Sequence, residues 1–406
     1  MKNNWVKLEG RGVTAPEGFK ASGISCGLKN GNKDLAAIFT EYAAQTAGVF
    51  TRNLVCAAPV KQCQANLNNL IQLIVINSGN ANACTGDQGR RDAWSMAEKS
   101  ASCMGHLDSS QVMVCSTGVI GVPLDMQKIN TGLKMTLENL GEGESFDKKA
   151  AEAILTTDTK IKQSAYRCIT PDGDFHLAGM AKGSGMICPN MATMLAFLTT
   201  DVKIERTLLQ ELFNDAVNRS FNVITVDGDT STNDTALILA NGARNKMEVT
   251  ETSELFDPFK QILNQVCQEL AYMIVADGEG ATKLITLSIK GSRDEESARI
   301  LSRSVLNSPL VKTAFFGEDA NWGRILAALG YSGVDFDPEK VDIYIGPYQV
   351  AANGGSVPFS EVEMKKVLQQ REIKVSIDLK QGNEELIAWG TDMSIEYVEI
   401  NSDYRS

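Results

Sequence analysis

The sequence predicts a layered α+β fold rather than a doubly wound parallel sheet. Helical and strand patterns are mixed along the 406 residues, without the regular alternation that parallel βαβ units require. Hydrophobic residues make up 43% and charged residues 22% of the chain, which is typical of a soluble globular protein with about two to three domains. The formal net charge of −11 indicates that neither nucleic acid nor an anionic membrane is a partner.

Two features of the sequence favour a cytoplasmic location. Residues 1–19 lack the apolar core of a secretory signal. The most apolar short run, residues 70–76, is far too short to span a bilayer. We therefore expect a cytoplasmic protein.

The first half of the chain predicts strands that end in polar loops. Residues 70–76 predict a strand, which leads through an Asn/Gly-rich loop to a helix over roughly 91–104. Residues 111–124 predict a second strand that ends at Ser116, Thr117 and Gly118. A helical pattern with Ser145 or Asp147 as its cap then leads to the hydroxyl cluster Thr156, Thr157 and Thr159.

The second half of the chain contains the longest helical patterns and a strand-rich end. Residues 205–221 place apolar side chains at helical spacing, and Asp257 is the predicted N-cap of a second helix. Between them, residues 221–226 predict a strand that enters a polar loop. Apolar and polar residues alternate over 373–379 and again over 394–401, and both runs predict strands.

Neither the cysteines nor the histidines indicate a metal site. The nine cysteines include no CxxC pair, and the loop at 227–234 has Thr232 where a calcium loop needs glycine. The two histidines, His106 and His176, belong to no metal-binding pattern. A hydrolase or acyl transferase with so few histidines is expected to use a different general base.

Thr193 lies at the start of a predicted apolar strand, within the segment AKGSGMICPNMATMLAFLTTD (181–201). Gly183 and Gly185 give the preceding backbone unusual freedom, and Ala192 is small enough to leave its carbonyl accessible. A β-branched residue at a strand start is usually only a packing residue. That alternative stays open on the local features alone.

A threonine can act without a histidine if its own α-amine serves as the base. Such an amine has an unperturbed pKa near 7.7–8.0, close to the pH at which general bases work best. Thr193 is internal, so the chain would have to cut itself between Ala192 and Thr193. The products would be two chains, 1–192 and 193–406.

The segment around Thr193 resembles the self-cleavage segment of the ornithine acetyltransferase family, the glutamate N-acetyltransferases of arginine biosynthesis. Other blocks resemble that family in the family's order along nearly the whole chain. Several are weak singly, but together they are very specific. These blocks are residues 12–24, 76–86, 116–121, 156–159, 225–235, 277–284, 317–333 and 399–406.

The resemblance implies a fold and an activity. It implies an α/β/β/α-type sandwich with an N-terminal-nucleophile-like site, plus a smaller α/β C-terminal region. It implies transfer of the acetyl group of N2-acetyl-L-ornithine to L-glutamate through an acetyl-threonine intermediate. It also implies an assembly of two copies of each of the two chains, with no bound cofactor.

The resemblance also implies a role for each residue that matches a family block. Thr193 is the nucleophile, and Thr117 and Gly118 form the oxyanion hole. Lys182 holds the substrate's α-carboxylate, for which the alternative is a solvated surface lysine. Thr156 contacts the substrate, with Thr157 as the alternative, and Glu279 faces an amino group of the substrate. Asn401 and Ser406 close over the substrate.

Two alternative functions stay open at this stage. An N-terminal-nucleophile amidase or aminopeptidase would use the same groups but pass the acyl group to water. A non-catalytic protein that binds a small molecule would keep the pocket without the chemistry. The sequence also leaves open whether acetyl-CoA serves as a co-substrate.

Overall fold

The computed structural model describes residues 4–171, 173–188 and 194–403. The chain forms two compact units, each built from segments that are separate in sequence. Because unit 1 includes sequence from both sides of residue 193, the predicted pieces 1–192 and 193–406 do not coincide with compact units, and that division stays a prediction. Unit 1 is Met1–Gly183, Asn190–Phe221 and Thr230–Ile274, and unit 2 is Ser184–Pro189, Asn222–Asp229 and Val275–Ser406.

The strands of unit 1 pair in one continuous series that divides into two sheets at its longest strand. They are β1 (Trp5–Lys7), β2 (Phe19–Ile24), β3 (Leu35–Phe50), β4 (Ile71–Asn80), β5 (Val112–Val119), β6 (Lys162–Thr170), β7 (Gly173–Lys182), β8 (Leu195–Ile204) and β9 (Thr235–Val249). The order is β1-β6-β7-β8-β9-β3-β4-β5, with β2 also paired to β3. The first half of β3 pairs with β2 and β4 and its second half with β9, and the register with β4 shifts between Phe39 and Ala44. The strand predicted over 70–76 and the strand predicted after Thr193 are thus β4 and β8.

Helices pack on the two stacked sheets. They are α1 (Ala58–Asn66), α2 (Gly86–Met104), α3 (Met126–Glu138), α4 (Glu144–Ala153), α5 (Arg206–Asn218) and α6 (Phe256–Ala276). Helix α4 contributes Ala150 and Ala151 to the core that the sheets share. Ile38 of β3 and Phe197 of β8 share the core between the sheets, whereas Ala37 packs with α2 and α3. On the opposite side, the rings of Phe175 on β7 and Phe259 on α6 lie 6.1 Å apart. Unit 1 is therefore the expected α/β/β/α-type sandwich.

The double burial of β4 explains why residues 73–76 are apolar at every position. Ile74 and Ile76 face the core between the sheets, while Leu73 and Val75 face α2 and α3. A strand covered on both faces needs apolar residues at every position, so the period-2 alternation disappears.

Unit 2 is a smaller α/β unit, as expected for the C-terminal region. Its sheet has the order β13-β12-β11-β14-β10-β15, in which β10 and β14 run parallel. No helix among the described residues of either unit is long and apolar enough to cross a membrane. The elements are β10 (Leu284–Ser292), α7 (Glu295–Asn307), α8 (Pro309–Phe316), α9 (Trp322–Gly330), β11 (Asp342–Ile345), β12 (Tyr348–Ala352), β13 (Gly355–Ser356), α10 (Glu361–Leu368), β14 (Glu372–Asp378), β15 (Glu384–Thr391) and α11 (Ile395–Ser402).

Two strand predictions were wrong. Residues 394–401 lie almost wholly in α11, whose N-cap is Ser394, with its hydroxyl accepting a bond from the Tyr397 amide at 3.1 Å. A run of eight residues is compatible with both the helical and the strand period, and the N-cap Ser394 determines that this run forms a helix. Residues 221–226 contain the short 3-10 helix Phe221–Val223, and Ile224 forms an isolated bridge with Trp389.

The helix ends also differ from the predictions. The N-cap of α4 is Gly143 rather than Ser145 or Asp147. The buried Asp147 carboxylate instead accepts bonds from the amides of Gly12 and Thr14, at 2.9 and 2.7 Å. Helix α6 begins at Phe256, so Asp257 lies in its first turn.

Candidate active site

The chain resumes after the predicted nucleophile in a strand paired on both sides. Thr193 and Ala192 lie outside the described residues, as does Ser406, so their roles stay predictions. Leu195, the first residue of β8, pairs with Lys182 on β7 and with Thr235 on β9. The register therefore places Lys182 beside the beginning of the strand that follows Thr193 in sequence.

Lys182 is a buried residue, and the alternative of a solvated surface lysine is wrong. It is only 7% exposed and is the last residue of β7. Its ammonium donates to the Thr156 hydroxyl at 2.7 Å and lies 3.5 Å from the Thr117 hydroxyl. Three residues predicted from separate blocks thus meet around one ammonium, with Thr156 rather than Thr157 making this contact with Lys182.

Asp158 completes this cluster and was missed by the sequence analysis. Its buried carboxylate accepts bonds from the Lys162 ammonium and the Gly183 amide, both at 2.6 Å, and lies 3.9 Å from the Lys182 ammonium. Burial alone would raise the pKa of Asp158, but Lys182 and Lys162 outweigh burial and hold that pKa well below its usual range. The block at 156–159 contains this aspartate between its threonines, but no neighbouring residue in the sequence indicated its lysine partners.

Gly118 lies where β4 and β5 come unusually close. Its φ of 132° is in the region that favours glycine, and a Cβ there would lie 2.3 Å from the Gly79 carbonyl carbon. The strand register also shifts between Gly79 and Asn80. Only glycine fits at this irregular strand end, beside the Thr117 hydroxyl. The oxyanion-hole role of Thr117 and Gly118 stays a prediction.

Glu279 and Asn401 form a second cluster, within unit 2. The Asn401 side-chain amide on α11 donates to a Glu279 carboxylate oxygen at 3.0 Å, and Glu279 is only 8% exposed. A Cβ on Gly185 would lie 2.3 Å from that carboxylate. Glycine is therefore needed at position 185 because the Glu279 carboxylate lies so close. At position 183 glycine is favoured for another reason, since its φ of 149° is one that other residues rarely adopt.

The polar loop after residue 226 holds the segment around Met186. The partly buried Asp227 carboxylate accepts bonds from the amides of Met186 and Ile187, at 2.6 and 2.9 Å. The described residues contain no cluster of three or more potential metal ligands.

His176 is distant from the Lys182 cluster. It lies six residues earlier on the same strand, which corresponds to about 20 Å. Its ring nitrogen Nδ1 lies 2.9 Å from Asp201. A histidine base from β7 is therefore excluded at Lys182, which agrees with the expectation of a different base.

The comparisons with known proteins give the family. Residues 20–406 match the ArgJ family. The arginine biosynthesis bifunctional protein ArgJ of Caldanaerobacter subterraneus is 47% identical over 404 residues, which cover 98% of this chain and 99% of that protein.

Two solved structures match about half of the chain. The crystal structure of ArgJ from Bacillus halodurans is 41% identical with a TM-score of 0.50 and covers 52% of this chain and 99% of the solved chain. Ornithine acetyltransferase from Mycobacterium tuberculosis, solved with ornithine, is 42% identical with a TM-score of 0.44 and covers 46% of this chain and 100% of the solved chain. The family match and the curated ArgJ relatives favour acetyl transfer over hydrolysis and over non-catalytic binding. The chain belongs to the ArgJ family and is an acyltransferase of arginine biosynthesis.

Proposed function

We propose that the chain transfers the acetyl group of N2-acetyl-L-ornithine to L-glutamate through an acetyl ester on Thr193. The observation that carries the proposal is the buried Lys182 ammonium, surrounded by the Thr156 and Thr117 hydroxyls and paired in register with Leu195. Both substrates have an α-carboxylate, and a buried ammonium with adjacent hydroxyls is suited to bind one.

The first step is a cut between Ala192 and Thr193. The Thr193 hydroxyl oxygen attacks the Ala192 carbonyl carbon, the C–N bond breaks, and the freed amine takes up the proton. Water then hydrolyses the resulting ester, which leaves a carboxylate on Ala192 and a free hydroxyl and amine on Thr193.

Acetyl transfer then follows a ping-pong order. The Thr193 amine takes the hydroxyl proton while the oxygen attacks the acetyl carbonyl of acetylornithine, and ornithine leaves with that proton on its amine. The glutamate amine attacks the acetyl ester in the second half, which releases N-acetylglutamate and restores the hydroxyl. The Thr117 and Gly118 groups stabilise the charge on the carbonyl oxygen in both halves.

The remaining predicted residues bind the substrates. Lys182 holds the α-carboxylate with Thr156, and its positive charge disfavours protonation of a nearby amine, which favours the base form. Glu279, with Asn401 and Ser406, attracts the amino group at the end of the ornithine side chain.

We further propose the cellular context of the enzyme. It needs no resident cofactor, and acetyl-CoA serves as a second acetyl donor, a property that the word bifunctional in the relatives' names supports. The two chains stay together as two copies of each, in the cytoplasm.

The test is the Thr193→Ala variant beside the Thr193→Ser variant. Intact mass should show fragments 1–192 and 193–406 for the natural enzyme and for T193S, and one uncut 44.0 kDa chain for T193A. T193A should form no N-acetylglutamate from acetylornithine and glutamate. Normal turnover by T193A, or acetate as the only acetyl product of the natural enzyme, would overturn the proposal.

A further inference from the structure

We propose that Lys29 selects the acetyl acceptor, because its ammonium binds the side-chain carboxylate of glutamate while Lys182 holds the α-carboxylate. The inference rests on the function proposed above. It gives a role to a residue that the sequence analysis did not single out.

The loop that carries Lys29 is held in one conformation by a single buried carboxylate. Asp34 is completely buried and accepts bonds from four consecutive amides, those of residues 26–29, at 2.6, 3.0, 2.7 and 2.9 Å. Four hydrogen bonds to one side chain hold these four backbone amides in a single arrangement. The backbone of Lys29 is therefore fixed before any ligand arrives.

The Lys29 stem lies beside the strands that carry the predicted oxyanion residues. A Cβ on Gly79 would come within 2.9 Å of the Lys29 Cγ, so glycine leaves room for the stem. Gly79 pairs with Gly118 across β4 and β5. This places Lys29 next to the end of β5, where Thr117 also lies.

The Lys29 ammonium reaches the same short segment as Lys182. It donates to the Leu155 carbonyl at 2.8 Å, and the next residue, Thr156, accepts the bond from Lys182. An ammonium has three N–H donors. Since Lys29 makes one hydrogen bond within the described part of the chain, two donors are left for a ligand.

The two carboxylates near the Lys29 and Lys182 ammoniums, those of Asp34 and Asp158, already have other hydrogen-bond partners. Asp34 is occupied by the loop amides, and Asp158 is shared with Lys162 at 2.6 Å. Burial lowers the pKa of Lys29, and Lys182 lowers it further by repulsion, against the opposing effects of Asp34 and Asp158. A dicarboxylate with one carboxylate at Lys29 and the other at Lys182 would offset that repulsion.

The chemistry of the two substrates explains why a second cation is useful. Donor and acceptor share an α-carboxylate, so Lys182 cannot distinguish them. They differ at the side-chain end, where ornithine has an ammonium and glutamate a carboxylate. A fixed cation near the α-carboxylate site therefore favours the dicarboxylate acceptor over neutral amino acids of the same shape.

The experiment compares Lys29→Met with Lys33→Met in the same loop, where Lys33 pairs with Glu152 at 2.6 Å. Acetylation of Thr193 by acetylornithine is followed by mass, and acceptor kinetics are measured with glutamate and with its neutral isostere glutamine. For K29M, kcat/KM for glutamate should fall about 10- to 100-fold, mainly through KM. The acetylation step and glutamine kinetics should stay within about twofold, K29R should keep most activity, and K33M should match the natural enzyme.

Three results would overturn the proposal. These are an equal loss with glutamate and glutamine, no loss at all, or a loss confined to acetyl-CoA as donor, which would indicate a phosphate site. If K29M is insoluble, K29Q carries the same comparison, because glutamine is polar and uncharged and keeps an N–H donor. If the natural enzyme forms no acetyl ester at Thr193, the proposed function itself fails, which is a separate readout.

Discussion

Asp158 in unit 1 and Asp227 in unit 2 are carboxylates with different ionic surroundings; the Asp158 side chain is completely buried, whereas Asp227 is partly buried. Each accepts hydrogen bonds from backbone amides on separate parts of the chain. Asp158 also lies against Lys162 and Lys182, whereas a charged group that acts on Asp227 is the Asp229 carboxylate.

The pKa values of the two groups shift in opposite directions for this reason. Burial raises the pKa of Asp227, and Asp229 adds to the rise by repulsion, although backbone amides oppose it. The lysines reverse the effect of burial at Asp158. Backbone amides alone therefore do not offset the effect of burial on the pKa of Asp227, whereas two ammoniums do so at Asp158. The Lys182 cluster of unit 1 suits a substrate carboxylate. The cluster of Glu279 and Asn401 in unit 2 is acidic and suits an amino group.

The largest effect is expected when the Asp158 charge is removed. Asp158→Asn leaves Lys162 and Lys182 buried without their counter-charge, which should lower the free energy of unfolding by about 3–5 kcal/mol. Urea denaturation at pH 7 measures this, with Glu98→Gln, exposed on α2, as the control. Because the folded-state pKa of Asp158 is lowered, its stabilisation is present above the unfolded value of 3.8 and is lost as the pH falls toward the folded-state value. D158N should therefore lose less stability in acid; an unchanged acid profile would contradict the role of the lysines.

The comparison also shows how far the sequence could predict the site. Thr117, Thr156 and Lys182 were found because each belongs to a block that resembles a family motif. Asp158 and Lys29 were not, because their roles depend on partners that only the fold brings together, such as Leu155, 126 residues from Lys29.

The same limit applies to the secondary structure. Helix α11 was predicted as a strand, since its eight residues fit either period and its cap contacts Gly280, 114 residues earlier. In contrast, β4 was predicted well because it contains the apolar run 73–76, which needs two covered faces.

An intermediate effect is expected from Lys312, a lysine of unit 2 that is buried among carbonyls. Its ammonium donates to the Val226 and Thr391 carbonyls at 2.7 and 2.5 Å, and burial lowers the pKa of Lys312 to about 8. The unfolded chain binds this proton up to about 10.5, so the free energy of unfolding should rise by roughly 3 kcal/mol as the pH rises from 8 to 10.5. Denaturation of the natural enzyme and of Lys312→Met across this range isolates the contribution. A rise of equal size in both proteins would show that Lys312 is not its source.

The smallest effect is expected from Glu279→Gln, which tests the assignment of the acidic cluster to an amino group. Glutamine keeps an oxygen that accepts the bond from Asn401, so the fold should be retained. Loss of the charge should lower kcat/KM for acetylornithine about tenfold, because a hydrogen bond to a charged group is replaced by a neutral one. Steady-state kinetics should show less than a twofold change for glutamate, and Glu385→Gln, an exposed residue of β15, should leave both values unchanged. An equal loss for both substrates would mean that Glu279 acts on their shared α-amino-acid portion rather than on the side-chain amino group of acetylornithine.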